Sequence, residues 1–259
     1  MLTLVGLGLY DERSITLKGR DAVRAADRVF IEQYTSRLAG ASVADLEAFH
    51  DVEIEVRDRA GVEQSPQTVL ESAESGAAVF LVGGDPLVAT THIDLRLRAH
   101  DRGIDSRVVH GTSTQDAAAG LTGLQNYRFG KATTLPFPGS RGADVPESVS
   151  DTIAGNRARD LHTLIYLDID AEAERYLSAD DAAEALADTY PDSLAVAVAR
   201  AGSTEPLVVA DSLDALARRN FGDPLHFLVV PGALHDLEAE ALRAFADAPA
   251  ALLPRQSPG

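Results

Sequence analysis

The fold is decided by one stretch in the first half of the chain, Ala77-Ala78-Val79-Phe80-Leu81-Val82-Gly83-Gly84-Asp85-Pro86. Its six consecutive apolar residues predict a strand that is buried on both faces, and the Gly-Gly-Asp-Pro turn ends that strand. Residues 90–102 follow with the spacing of an amphipathic helix, which places Ile93, Leu97 and His100 on one face. A buried strand followed by a covering helix is the repeating unit of an open, mostly parallel sheet.

The alternation of strands and helices continues on both sides of this stretch. In the first half we predict further strands at 2–7, 28–32, 51–56 and 107–110, and helices at 14–26, 62–75 and 113–121. In the second half we predict strands at 131–137, 162–169, 194–201, 205–210 and 226–230, and helices at 180–190, 211–219 and 234–245. Strand 205–210 can pair with strand 194–201 as a hairpin. The pattern loosens over 123–130, so the sequence predicts an α/β protein with one domain at 1–122 and a second at 123–248.

Two segments lack this alternation. Residues 138–160 are rich in Gly, Pro, Ser and Asp, and loops of that length in compact domains are usually functional or mobile. Residues 249–259 contain three prolines and a glycine, which predicts a disordered tail.

Composition excludes several classes of protein. The chain has 259 residues and no cysteine, so disulfides, thiolate metal sites, iron–sulfur clusters and cysteine nucleophiles are excluded. An apolar run of six residues falls far short of the roughly 20 that span a bilayer. Met1-Leu2-Thr3-Leu4-Val5-Gly6 has neither a basic segment before its apolar residues nor a cleavage site, which predicts a first strand of a cytoplasmic protein.

The charge balance indicates a protein adapted to salt. The net charge is −17, from 25 Asp and 15 Glu against 21 Arg and only two Lys. Such self-repulsion is relieved in molar salt, where the Debye length shrinks to about 3 Å. We therefore predict a halophile's protein, with an acidic mesophilic enzyme as the alternative. Direct nucleic-acid binding is not expected, because no stripe of clustered Lys and Arg is present.

This adaptation gives a first prediction. We expect the chain to unfold cooperatively as KCl is lowered from molar to millimolar concentration, because repulsion among its carboxylates is then no longer screened. Thermal unfolding followed by circular dichroism across that range measures the effect. A melting temperature that does not change with KCl would contradict it.

Ligands of open α/β sheets bind beyond the carboxyl ends of the strands, so the loops there carry the candidate chemistry. Gly6-Leu7-Gly8-Leu9 resembles a dinucleotide turn, but Asp11 stands where a third glycine belongs and would repel a pyrophosphate. Asp85, in the second loop, can bind a ribose hydroxyl or a cation, or cap a helix. The third loop, His110-Gly111-Thr112-Ser113-Thr114, supplies hydroxyls and free N–H groups at a helix start, for a ligand or for capping.

The sequence contains no motif that indicates a metal site or a hydrolase. His235-Asp236-Leu237-Glu238 collects polar groups near a helix start, but a solvated first turn explains them better than a metal site. No nucleophile elbow, Walker loop or His-Glu-x-x-His is present in the sequence. We predict no metal, and we expect His92, His100 and His162 to be structural histidines, either satisfied or exposed.

Six ordered blocks nevertheless resemble one family over essentially the whole chain. They are Val5-Gly6-Leu7-Gly8-Leu9-Tyr10-Asp11-Glu12, Ile15-Thr16-Leu17-Lys18-Gly19, Gly83-Gly84-Asp85-Pro86-Leu87 with Ala89-Thr90-Thr91-His92, His162-Thr163-Leu164 with Leu167-Asp168-Ile169, Ala199-Arg200-Ala201-Gly202-Ser203, and His226-Phe227-Leu228-Val229-Val230-Pro231-Gly232. With these blocks the chain resembles the diphthine synthases, which have the tetrapyrrole-methylase fold. It departs from their pattern after Phe137, where family members often carry Trp-containing sequence and this chain reads Pro138-Gly139-Ser140-Arg141-Gly142.

The resemblance implies two α/β domains, S-adenosyl-L-methionine folded into the cleft between them, and usually a homodimer. It implies methylation of the amino group of a 3-amino-3-carboxypropyl substituent on one histidine of translation elongation factor 2. In archaea this gives the trimethylated diphthine, with S-adenosyl-L-homocysteine as the other product. Carried over position by position, the cofactor contacts fall on Leu9, Asp85, Val88, Ser113, Thr114, Leu167, Ala201 and His226.

The residues themselves agree with a methyltransferase. Methyl transfer needs mainly that amine and methyl are held in line, so the lack of a nucleophile or metal site is expected. A base could help the amine lose its protons, but the sequence assigns no catalytic residue. Two alternatives stay open: a methylase of the same fold acting on a corrinoid or porphyrin precursor, and a dinucleotide-binding or non-catalytic α/β protein.

Overall fold

The computed structural model describes residues 1–35, 37–139, 145–170, 173–190 and 192–254. The chain divides into two compact units, Met1–Thr114 and Gln115–Gly259. This division lies eight residues before the sequence-based boundary at 122/123 and passes through the start of a helix. The domain ranges 1–122 and 123–248 stay a prediction.

The first unit is built on a parallel sheet of five strands. In chain order these are β1 (Leu2–Gly6), β2 (Arg28–Glu32), β3 (Ile54–Arg57), β4 (Ala78–Val82) and β5 (Ser106–Val109). Their order across the sheet is β3-β2-β4-β1-β5, and each neighbouring pair runs parallel. All residues of β1 and β4 are buried, as the unbroken apolar run in β4 predicts for central strands. The predicted open parallel sheet is confirmed.

Helices cover this sheet. They are α1 (Leu17–Arg24), α2 (Val43–His50), α3 (Gln67–Ser75), α4 (Ile93–Asp101) and α5 (Thr114–Thr122), the last of which runs into the second unit. Helix α2 was not predicted, because its apolar residues follow no clear helical period. Its start carries a usable signal: Ser42 and Asp45 bond reciprocally to each other's backbone N–H groups as a capping box.

The predicted buried face of α4 is wrong. Leu95 and Ala99 are buried against Phe80 and the rest of the core, whereas Ile93 and Leu97 are 50% and 56% exposed. Both pairs have the i, i+4 spacing of a helical stripe, so spacing alone could not tell which stripe faces the sheet.

The second unit is built on a mixed sheet of five strands. In chain order the strands of this unit are β6 (Thr133–Leu135), β7 (Thr163–Leu167), β8 (Ile169–Asp170), β9 (Arg175–Tyr176), β10 (Leu194–Ala199), β11 (Leu207–Ser212) and β12 (His226–Val230). Strands β8 and β9 form a separate two-stranded ribbon, and the other five form the main sheet. The main sheet has the order β11-β10-β12-β7-β6, in which only β6 and β7 run parallel. The predicted hairpin is confirmed, since β10 pairs antiparallel with β11.

The helices of this unit are α6 (Glu147–Arg157), α7 (Ala179–Ala187), α8 (Leu213–Leu216) and α9 (Asp236–Phe245). Helix α6 lies inside the stretch predicted as a long loop. It was missed because only Val149 and Ile153 give it an apolar stripe, and its other buried positions, Thr152 and Asn156, are polar. Most of the stretch 138–142, where the sequence departs from the family pattern, lies outside the described residues, which omit 140–144.

The predicted disordered tail is wrong for its first residues. Ala250–Leu252 form a 3-10 turn, and Leu253 is buried in an apolar cluster with Leu242 of α9. Burial of one leucine outweighs the local effect of the flanking prolines. Residues 255–259 of that tail lie outside the described residues. In the part of the chain that is described, no helix combines the length and apolar character needed to cross a bilayer.

Candidate functional site

Five of the eight predicted cofactor contacts lie at one edge of the first sheet. Strands β1, β4 and β5 are parallel neighbours, so their carboxyl ends meet at the same edge. The loops that leave this edge carry, in chain order, Leu9, Asp85 with Val88, and Ser113 with Thr114. The structure therefore brings these five residues to one place within the first unit.

Glycines let the three loops pack main chain against main chain. Gly8 and Gly84 pair as a short antiparallel bridge, with N–H···O distances of 3.2 and 2.8 Å. Both have positive φ, +74° and +72°, which favours glycine strongly. A Cβ added to Gly111 would lie 2.4 Å from the Gly84 carbonyl oxygen. The loops are thus held together by backbone contacts that no side chain could replace.

Gly111→Ala tests this arrangement. We expect the new methyl group to push the third loop away from Gly84, at a cost of about 1–3 kcal/mol in the free energy of unfolding. Urea unfolding in molar KCl measures it. Gly120→Ala, inside α5 where an added Cβ meets nothing within 4 Å, is the matched control and should not destabilise the protein. Equal stability of the two variants would contradict the close packing.

Asp85 is fixed by two hydrogen bonds at this edge. Its side chain is 6% exposed, and Oδ1 accepts the Leu87 N–H at 2.9 Å. Its Oδ2 lies 2.7 Å from Nδ1 of His110, at the end of β5. Since a carboxylate only accepts, the histidine donates this bond. Sequence reasoning missed this pair, because β4 and β5 are separated by β1 and no spacing links residues 85 and 110.

The chemistry of this edge fits S-adenosyl-L-methionine. Leu9 and Val88 are half-buried apolar residues, and Ser113 is buried directly before Thr114, the first residue of α5. The start of a helix presents backbone N–H groups to polar ligand atoms. A Cβ added to Gly84 would have no neighbouring atom closer than 3.9 Å, so a ligand can approach the main chain there. Apolar surface, a buried carboxylate and N–H donors match a ligand with adenine, ribose and cationic groups.

The other three predicted contacts lie at one edge of the second sheet. Strand β12 runs antiparallel to β7 and β10, so its first residue shares an edge with the last residues of those two strands. His226 begins β12 and pairs with Ala199; Leu167 ends β7, and Ala201 follows β10 by two residues. The structure therefore brings Leu167, Ala201 and His226 together within the second unit.

The His226 side chain is already engaged inside the protein. Its Nδ1 accepts the Ala179 N–H at 3.1 Å, and its Nε2 lies 2.9 Å from the Asp223 carbonyl oxygen, to which it donates. Burial lowers the pKa of His226 and keeps the ring neutral. Any cofactor contact at this position would therefore use the main chain, while the ring anchors the start of α7 to β12.

The polar group at the start of α9 is only in part the solvated turn that the sequence predicted, because His235 and Asp236 are exposed but Glu238 is not. Glu238 is fully buried, and its carboxylate receives hydrogen bonds from Arg128 at 2.8 Å and from His162 at 2.9 Å. The backbone N–H groups of Gln125 and His235 also donate to it, each at 2.9 Å. The cluster ties the segment after α5 to α9, and all its members act inside the second unit. No group of three or more metal-ligating side chains occurs among the described residues.

Comparison with known proteins agrees with this geometry. Residues 1–217 match the family model of tetrapyrrole (corrin/porphyrin) methylases. A diphthine synthase of Halorubrum lacusprofundi is 62% identical over 98% of this chain and 99% of its own length. The chain belongs to the diphthine synthase family. A second diphthine synthase, from Haloquadratum walsbyi, is 63% identical over 98% of each chain.

The solved structures support the same family. A crystal structure of diphthine synthase superposes with a TM-score of 0.89 at 42% identity, covering 97% of this chain and 98% of the other. The predicted tetrapyrrole-methylase type of α/β fold is therefore confirmed, and membership of the diphthine synthase family makes the chain a methyltransferase. The two relatives and the solved structure named above match over nearly their full length and are diphthine synthases, so the family favours this activity over methylation of a tetrapyrrole.

Proposed function

We propose that this chain transfers methyl groups from S-adenosyl-L-methionine to the amino group of the 3-amino-3-carboxypropyl substituent on one histidine of translation elongation factor 2. The product is the trimethylated diphthine on the way to diphthamide, and S-adenosyl-L-homocysteine is released. The observation that carries this proposal is the 62% identity to a diphthine synthase over 98% of the chain.

The residues at the two sheet edges would bind the cofactor. Leu9 and Val88 would supply apolar contacts, Ser113 and Thr114 would donate hydrogen bonds, and Asp85 would hold its loop in place and offer its carboxylate. From the second unit, Leu167, Ala201 and the main chain of His226 would contribute. The bound cofactor supplies an electrophilic methyl group, so these residues need only hold it in line with the acceptor amine.

The proposal is tested by methylating the acceptor itself. We would incubate the protein in molar KCl with S-adenosyl-L-methionine and elongation factor 2 that carries the aminocarboxypropyl-histidine, and then measure the intact mass of the factor. A gain of three methyl groups supports the proposal. Elongation factor 2 with an unmodified histidine is the control and should gain none. Methylation of a corrinoid or porphyrin precursor instead of the factor would favour the alternative function.

Asp85→Ala tests the cofactor assignment on the first unit. We expect it to weaken S-adenosyl-L-homocysteine binding by about 1.5–3 kcal/mol, because a charged hydrogen-bonding group is lost and the 86–88 loop loses its anchor. Isothermal titration calorimetry measures the affinity. Asp101→Ala removes an exposed carboxylate at the end of α4 and is the matched control. Unchanged affinity for the Asp85 variant would remove that residue from the site.

The family resemblance adds two further parts to the proposal, a homodimer and a cytoplasmic location. The location follows from the acceptor, which acts in translation. Light scattering of the purified protein in molar KCl gives the mass of the particle. A monomer at assay concentrations would contradict the dimer.

A further inference from the structure

Asp85 and His110 form a pair in which one partner is buried and the other reaches solvent. The Asp85 side chain is 6% exposed and that of His110 is 73% exposed, with Oδ2 and Nδ1 2.7 Å apart. The Leu87 N–H fixes the other carboxylate oxygen at 2.9 Å. Asp85 is thus a rigid acceptor, and the orientation of the imidazole ring follows from it.

This hydrogen bond selects one tautomer of His110. A carboxylate can only accept, so Nδ1 of the neutral ring carries the hydrogen and Nε2 carries a lone pair. Within the described residues Asp85 is the one hydrogen-bond or ion-pair partner of the His110 side chain, and 73% of that side chain is exposed to solvent. The same carboxylate stabilises the imidazolium once Nε2 takes up a proton, which is the role of the aspartate in an Asp-His pair of a hydrolase.

We propose that His110 is the base that accepts the proton from the acceptor amine, with Asp85 as its positioning residue. This inference rests on the proposed function, because an ammonium group has no lone pair until it loses a proton. The nitrogen–hydrogen bond breaks, the proton passes to Nε2 of His110, and the amine keeps the electron pair. That pair forms the nitrogen–carbon bond as the carbon–sulfur bond breaks, with its electrons left on sulfur. His110 then releases the proton to water before the next methyl group is added.

The location of His110 suits this role. It is the first residue after β5, directly before Gly111 of the glycine contact and three residues before Ser113. His110 therefore lies at the edge where five of the proposed cofactor contacts meet. A base that serves an in-line methyl transfer must lie beside both the cofactor and the acceptor.

Other titratable groups near the strand ends are engaged inside the protein. The Glu32 side chain, at the end of β2, is fully buried, and it accepts hydrogen bonds from the backbone of Tyr34 and from Thr35. Both ring nitrogens of His226 make hydrogen bonds to the main chain. His110 combines an accessible nitrogen with a fixed tautomer, which neither of these groups does.

The first experiment compares His110→Gln with His100→Gln. His100 lies on the exposed side of α4 and is the matched control. We expect His110→Gln to lower kcat on the order of 10²-fold at saturating cofactor and acceptor, while His100→Gln keeps it. The affinity for S-adenosyl-L-homocysteine, measured by calorimetry, should be unchanged in both.

The second experiment reads the tautomer of His110 without cofactor or acceptor. Nitrogen-15 NMR of the ring, assigned by the loss of its signals in His110→Gln, should show a protonated Nδ1 and an unprotonated Nε2. In Asp85→Ala the signals should shift towards the opposite tautomer, which free imidazole side chains favour in water. An unprotonated Nδ1 in the unaltered protein would overturn the inference.

The outcomes separate this inference from the proposed function. If the unaltered protein methylates the factor and His110→Gln keeps full kcat, the inference is wrong and the function stands. If His110→Gln no longer binds S-adenosyl-L-homocysteine, His110 is a cofactor contact and the inference is wrong. If the unaltered protein does not methylate the factor at all, the proposed function fails and the inference fails with it.

Discussion

Replacing Glu238 by alanine is expected to lower the free energy of unfolding by about 3–5 kcal/mol. Glu238 is fully buried, and the Arg128 side chain that it pairs with at 2.8 Å is only 10% exposed. Alanine would leave the guanidinium charge without its carboxylate. It would also leave His162 and the N–H groups of Gln125 and His235 without their acceptor. Losing one partner of a buried pair costs more than the pair itself contributes.

Urea unfolding in molar KCl measures this loss. Glu240→Ala is the matched control, because Glu240 lies on the same helix but is exposed, and surface substitutions usually change stability by less than about 0.5 kcal/mol. Glu238→Gln should also destabilise strongly, since its amide NH₂ would face donors. A Glu238→Ala variant that unfolds within about 1 kcal/mol of the control would contradict the network.

This network also shows the limit of prediction from sequence. Glu238, His162 and Arg128 lie on three separate segments, and nothing in the local sequence distinguishes Glu238 from the exposed Glu240 two residues later. Only the position of α9 against the segment after α5 makes one glutamate buried and the other exposed. A solvated first turn was the reasonable local interpretation, and it holds for His235 and Asp236 but not for Glu238, which tertiary packing buries.

All ten strands of the two five-stranded sheets were predicted, whereas helices α2 and α6 and the short ribbon of β8 and β9 were not, for a physical reason. Central strands such as β4 and β12 are runs of apolar residues, and a buried strand needs no other signal. Helices α2 and α6 each bury few apolar side chains, and α6 relies on Asn156, which bonds to the main chain of Lys131. Helices held by such polar contacts leave little hydrophobic period to detect.

The candidate site was likewise predictable from sequence only in part. The parallel order of β1, β4 and β5 follows from the alternation of strands and helices, so the convergence of their loops could be expected from sequence. The individual cofactor residues came from the family resemblance. The contact between Asp85 and His110 came from neither, because it depends on side-chain directions at two strands that are not neighbours.

Acid is expected to destabilise the protein steeply below about pH 6.5. His50, His92, His162 and His226 are buried, and burial lowers the pKa of each because it disfavours the charged ring. In the unfolded chain these rings take up protons near pH 6.5, whereas the folded protein keeps them neutral to lower pH. The unfolded state then binds more protons, so stability falls as pH falls, with a slope that approaches about 1.4 kcal/mol per pH unit for each histidine, or roughly 5.5 for all four, well below pH 6.5.

Two buried carboxyl groups modify this slope at lower pH. Burial raises the pKa of Glu32, so this group binds a proton more readily in the folded state and opposes the loss of stability above pH 4.5. Burial also acts to raise the pKa of Glu238, but hydrogen bonds from His235, Gln125 and His162 outweigh it, and the pKa is lowered. Its contribution is present above pH 4.5 and is lost as pH falls through its folded pKa. One opposing group cannot offset four histidines in the window just below pH 6.5.

The histidine contribution can be isolated with one substitution. Neither ring nitrogen of His50 has a hydrogen-bond partner within the described residues, so His50→Leu removes a titrating group without breaking a bond. We expect the stability lost between pH 7.5 and 5.5, measured by urea unfolding at constant molar KCl, to be smaller by about 1.4 kcal/mol in total in this variant, because the unfolded ring is only half protonated at pH 6.5. His100→Gln, at an exposed site, should keep the slope of the unaltered protein. A stability that stays flat across this range would contradict the prediction. It would mean that the four rings take up protons equally in the folded and the unfolded state, despite their burial.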